Sequence, residues 1–397
     1  MLNRSLSASM TSHASGKLEF LDGIRGLMAV NVILCHFVCV YYPQMYYPEF
    51  AQTTGGFLSL FATTPLSALI NGNIAVQYFF VLTGFLVGRS FFTKNIPSQS
   101  IFSRSIKRYF RLLPVIFAAT VFTFLTMRLG LQYHLRISDM VHNTFFLKDY
   151  CNFVERLISL PGNIFVNPFF STGSSYVGPF WTIQYEFWGY IFAMVLCVIF
   201  REQKYRYPGY FLVTAALLKE WHFSYVPFLF GVLVADLQFN PAPAFLRRSG
   251  TDIRRNKFLR AVLLVLGVYF ASCPMYFTGI HSILQTTSHI NTDTIRAAGI
   301  AVLLFVLMDA PKAQHIFSRP LFLWIGDRSF EIYAFHWPLM LSFQAWAFYR
   351  LSEYCHYDLA AIAAFLLTIP VICLTAQLVR FLLAKGTLLA AKYKVNL

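Results

Sequence analysis

The sequence predicts an all-α, polytopic integral membrane protein, and three observations carry that expectation. Hydrophobic residues make up 57% of the 397 and charged residues only 12%, about half the charged share of a soluble globular chain. The apolar residues recur in blocks of roughly 17 to 25, the length a helix needs to cross about 30 Å of hydrocarbon. The 32 Lys and Arg, finally, cluster at alternate ends of those blocks.

Ten blocks qualify, at about 22–42, 72–92, 111–129, 178–200, 207–221, 224–238, 259–278, 294–310, 328–348 and 359–384, the fifth and sixth being short. With a cytoplasmic N-terminus, all but seven of the 32 cations (Arg128, Arg136, Lys148, Arg156, Lys219, Arg296 and Arg350) fall on cytoplasmic segments or helix ends. Loops 43–71 and 279–293 hold no Lys or Arg, whereas 93–111 and 239–260 are densely basic. The positive-inside rule therefore places both termini in the cytoplasm. The expected organisation is a tail over 1–20, one transmembrane domain over 21–386 and a tail over 387–397, with an outer loop at about 130–177 and a cytoplasmic linker at about 239–258.

The net charge of +15 is explained by topology and anionic lipid, the reading given to Arg247, Arg248, Arg254, Arg255, Lys257 and Arg260, so no nucleic-acid partner is expected. Residues 1–17 are Ser-rich and polar, and no small-residue cleavage pattern follows Gly23–Val40, so the first helix reads as a retained anchor. Seven cysteines show no CxxC spacing and imply no metal site, although Cys151 and Cys355 both fall on the outer side, where an oxidising compartment could pair them.

The first block opens Leu21-Asp22-Gly23-Ile24-Arg25-Gly26 and carries His36 eleven residues after Arg25. At about 100° per residue, eleven steps return to within about 20°, so Arg25 and His36 share one helix face about 16 Å apart. Both are costly in lipid, so that face should line an enclosed or wet cavity.

Arg104, Lys107, Arg108 and Arg111 lead into the third block at spacings of three or four. A helix extended through them would carry a cationic stripe, suited to phosphates or to lipid headgroups. Gly178-Pro179-Phe180-Trp181-Thr182-Ile183-Gln184-Tyr185-Glu186 opens the fourth block, with Tyr190 one turn beyond Glu186. A carboxylate about 12 Å inside that end could reach His36 and orient it, or form a structural pair with an Arg or a hydroxyl. Gly326 to Pro338 opens the ninth block. Pro338 should kink it, and His336 can bond around the kink or act as a rival base.

In order, these pieces resemble the membrane acyltransferase 3 family of O-acyltransferases. Asp22, Gly23, Arg25, Gly26, Ala29 and His36 look like its D-G-x-R-G-x-x-A with a His eleven after the Arg, and Phe79-Phe80-Val81-Leu82-Thr83-Gly84-Phe85 is similar to F-F-V-L-S-G-F. Arg108, Arg111 and Pro114 match R-x-x-R-x-x-P, while Trp181, Thr182, Glu186 and Tyr190 match W-T-L-x-x-E-x-x-x-Y. Ser329, Tyr333, His336 and Pro338 look like the last signature. Gln77 stands where members often carry an acid, Thr83 replaces a Ser, and no SGNH hydrolase domain follows the bundle.

The resemblance implies transfer of an acyl group, most often acetyl, from cytoplasmic acyl-CoA as co-substrate to a hydroxyl of an extracytoplasmic saccharide or glycolipid, with no permanently bound cofactor. It also implies a bacterial inner (cytoplasmic) membrane. Arg25, Lys107, Arg108 and Arg111 would hold the donor, His36 would be the general base and Glu186 its support. Asp22, Trp181, Tyr190, Tyr333 and His336 would belong to an acceptor or structural site. The competing class is a transporter or exporter using Arg25, His36 and Glu186 as a substrate or proton path, but the two halves carry no matching broken-helix pairs.

Overall fold

The computed structural model describes residues 18–94, 96–148, 156–171, 175–220, 222–240, 256–273 and 291–392, and every element with regular secondary structure among them is helical. A helix occupies each predicted block: α1 (Glu19–Tyr41), α2 (Gly72–Thr93), α3 (Ser100–Arg128), α4 (Trp181–Phe200), α5 (Arg206–Lys219), α6 (Val226–Phe239), α7 (Lys257–Ala271), α8 (Thr292–Leu307), α9 (Ser329–Leu339) and α10 (Tyr357–Lys392). Among the described residues, five stretches are long and apolar enough to cross a membrane unaided: α1, α2, α3, Gly178–Phe200 and Tyr357–Lys385. Large apolar side chains face outward on several helices, among them Phe102 on α3, Phe211 on α5, Val265 on α7 and Leu374 on α10. Exposure on that scale suits contact with lipid rather than water.

Several boundaries differ from expectation for local reasons. α3 begins eleven residues early, at Ser100, as the helical extension that the three- and four-residue spacing of Arg104, Lys107, Arg108 and Arg111 allows. α8 ends at Leu307 and the chain turns by 106° into Pro311–Phe317, with Pro311 at the first helical position. After Pro338, α9 passes into a π turn at Met340–Gln344 and resumes as Ala345–Leu351. The short α5 and α6 are locked by the fully buried Asp236, which accepts from Arg206 Nε at 2.9 Å, Tyr207 at 3.1 Å and Tyr210 at 3.0 Å.

The segment expected as an extramembrane loop at 130–177 behaves differently where it is described. Phe146, Leu147, Phe169 and Val177 join the main core. The ring of Phe169 lies 4.4 Å from that of Tyr109, and the Tyr109 hydroxyl donates to the Phe165 carbonyl at 3.0 Å. Tyr109 is 19 residues from the Arg128 end of α3, so this segment dips about 28 Å along that helix. Phe146 and Phe169 of this segment are part of its packing surface. The expected Cys151 partner, most of the 239–258 linker with Arg247, Arg248, Arg254 and Arg255, residues 1–17 and the last five residues of the 387–397 tail lie outside the described residues.

Two motif glycines set how closely helices approach. A Cβ on Gly23 would stand 1.8 Å from the Phe317 carbonyl oxygen, so the Asp22-Gly23 motif lets α1 lie against the chain leading to α9. A Cβ on Gly84 would stand 2.0 Å from the Phe228 carbonyl oxygen, which allows α2 and α6 to pack backbone to backbone. Gly84→Ala is expected to cost about 1–3 kcal/mol by overpacking, read as a lower melting temperature in detergent. Gly162→Ala, whose added Cβ would meet only Asn167 Oδ1 at 4.0 Å, should change melting far less. α1 lies between the two larger apolar clusters, one built with α3, α4, α9 and α10 and the other with α2, α6 and α8.

Candidate active site

Arg25 and His36 both meet α9, in keeping with their shared face of α1. Arg25 Nη2 donates to Ser329 Oγ at 3.3 Å, and His36 Nδ1 lies 3.2 Å from His336 Nε2. Because the contacts advance in the same direction along both helices, α1 and α9 run parallel. Asp22 holds Arg25 through a 3.1 Å ion pair.

His36 is half-buried and lies 2.9 Å through Nδ1 from the Val32 carbonyl oxygen. Its Nε2 makes no hydrogen bond among the described residues. Around it stand the Trp337 ring, edge-on at 5.1 Å, Phe146 at 6.5 Å and His336 at 5.0 Å between ring centroids. His336 is 1% exposed, and its Nδ1 lies 2.5 Å from the Tyr333 carbonyl oxygen. No third His, Cys, Asp or Glu joins the two imidazoles in a metal-holding group among the described residues.

Glu186 is not in this cluster. Its Oε1 pairs with Arg108 and accepts from Thr83 at 2.6 Å, while Arg108 also lies over the Tyr190 ring at 4.4 Å. Of the two partners the sequence left open, His36 or an Arg with a hydroxyl, Glu186 takes the second, pairing with Arg108 and Thr83. Glu186 thereby stands level with Arg108, 20 residues or about 30 Å from the Arg128 end. Arg108, expected among the donor ligands, is 9% exposed and has its charge met by this carboxylate.

A hydroxyl link joins the two levels. Tyr333 donates to the Pro179 carbonyl at 2.5 Å and lies 2.7 Å from Thr182 Oγ1, one turn from Glu186 on α4. Lys107 and Arg111 are exposed at the basic end of α3, and Arg104 is partly exposed. Trp181 points outward at 42% exposure against Tyr185, away from the imidazoles. Gln77 is buried, with Oε1 unpartnered among the described residues. Sequence reading assigned no role to Thr83, Ser329 or Thr182. Each sits inside a recognised motif, which was the available signal.

The Acyltransferase domain family matches residues 18–379. Acyltransferase R4 of Phoma sp. (strain ATCC 20986 / MF5453) is 31% identical over 103 residues, covering 24% of this chain and 21% of that protein. The match thus spans about a fifth of that relative's length. No solved structure gives a significant match. With a match that takes in α1, the buried imidazoles and every motif residue described above, the chain belongs to the acyltransferase 3 family.

Proposed function

We propose that this protein is a membrane O-acyltransferase that moves an acyl group, acetyl foremost, from cytoplasmic acyl-CoA to a hydroxyl of an extracytoplasmic saccharide or glycolipid. In this reading all ten helical blocks serve as spans or broken spans, and both termini face the cytoplasm with the basic end of α3. The observation that carries the proposal is His36, an imidazole inside the helix bundle whose Nε2 has no hydrogen-bond partner among the described residues. An imidazole of unperturbed pKa about 6.5 suits proton removal near neutrality.

The acceptor hydroxyl gives its proton to His36 Nε2 as its oxygen attacks the thioester carbonyl. The C–S bond then breaks, and the CoA sulfur leaves as a thiol with the proton returned by the imidazolium. Lys107 and Arg111, together with the partly exposed Arg25, supply cations for the donor's phosphates. Glu186 and Arg108 hold α3 to α4 beneath the reaction centre.

Incubating purified protein with labelled acetyl-CoA tests the reading. Specific binding and thioester cleavage are expected, and a transporter would give neither. Replacing Lys107 and Arg111 together by Ala should raise the KM for acyl-CoA about tenfold, or ~1.4 kcal/mol, with kcat nearly unchanged and a smaller salt dependence of KM. An unchanged KM would move donor binding elsewhere. Surface glycan acylation compared with and without the gene identifies the acceptor.

A further inference from the structure

We propose that His336 is the positioning residue for His36, fixing its tautomer and ring so that Nε2 presents a lone pair to the acceptor. The inference rests on the acyl-transfer reading for its kinetic consequence, but its geometry stands by itself. A backbone carbonyl can only accept a hydrogen bond. His36 Nδ1 lies 2.9 Å from the Val32 carbonyl oxygen and His336 Nδ1 lies 2.5 Å from that of Tyr333, so each Nδ1 carries the hydrogen. In a neutral imidazole with hydrogen on Nδ1, Nε2 holds the lone pair.

Two consequences follow at the 3.2 Å contact between His336 Nε2 and His36 Nδ1. The lone pair of His336 faces an N–H, so that hydrogen is shared between His336 and the Val32 carbonyl. The opposite His36 tautomer would set two lone pairs against each other and place a proton on the atom that must receive one. When His36 Nε2 accepts the acceptor's proton, Nδ1–H keeps both of its acceptors, and no proton needs to pass to His336. With its side chain 1% exposed and anchored to Tyr333, His336 cannot swing away during the reaction.

This arrangement gives His336 the task expected of Glu186. It also separates His336 from the role of base, since its own lone pair is already directed at His36. Trp337, edge-on to His36, closes another side of the ring.

The test uses the full-length protein in two variants. His336→Gln keeps an amide oxygen near the former Nε2 position, whereas His336→Leu fills the space without an acceptor. The Leu variant should lose about 100-fold in kcat, the scale of a misplaced catalytic group. The Gln variant should stay within about tenfold of the parent, with the KM for acetyl-CoA and the melting temperature matched between the two. Equal losses in both variants, or no loss in either, would overturn the proposal. Nitrogen NMR of histidine-labelled wild-type protein provides an arm that needs no variant to fold. It should find hydrogen on Nδ1 of both residues, and a His336 with hydrogen on Nε2 would refute the assignment. If wild-type protein cleaves no thioester, the functional reading fails while the nitrogen shifts still decide the tautomers.

Discussion

His36→Ala is expected to lower kcat for acyl transfer by about 10²–10⁴-fold, the contribution of a positioned general base. The KM for acyl-CoA should change little, because the cations assigned to the donor, Lys107 and Arg111 on α3 and Arg25 about 16 Å along α1, do not touch the imidazoles. Stability should fall only by about 1 kcal/mol, the net worth of a hydrogen bond, since His36 is half-buried. Steady-state kinetics on folded, detergent-purified protein checks all three. Near-normal transfer by the Ala variant would remove His36 from the chemistry. Label retained on protein after incubation with donor alone would indicate that His36 carries the acyl group covalently before handing it on.

Glu186→Ala is expected to be the most damaging change to the scaffold beneath that centre. It strips the buried Arg108 of its counter-charge and leaves Thr83 without its acceptor. Breaking a buried pair by removing one member costs about 3–5 kcal/mol, and the lower end applies because the Glu186 side chain keeps 22% exposure. Thermal melting of Glu186→Ala, Arg108→Ala and the double variant Arg108→Leu with Glu186→Leu tests the coupling. The double variant should melt above either single one, since it leaves no orphaned charge. Strictly additive losses would show that the two residues do not depend on each other.

Much of the helix layout was legible because periodicity and length are local properties. Arg25 and His36 could be placed on one face by counting, and both do meet one helix. Partner identity was harder. Glu186 was legible as a carboxylate that would meet either His36 or an Arg with a hydroxyl, and only the tertiary packing of α4 against α3 and α2, which has no periodic signature, selects Arg108 and Thr83. His336 could be read as a local device beside Pro338, whereas its contact with His36 joins positions 300 residues apart. Thr83, Thr182 and Ser329 were visible as motif members, but nothing in their spacing named the side chains they would meet.

The 300-residue separation between His36 and His336 also has a consequence for biogenesis. At a synthesis rate of about 5–20 residues per second, α1 waits roughly 15–60 s in the translocation machinery or the bilayer before α9 exists. Through that interval, Arg25 lacks Ser329 and His36 lacks His336. The two imidazoles therefore cannot meet until the ninth helix has been made, and a product released before residue 336 cannot assemble the pair.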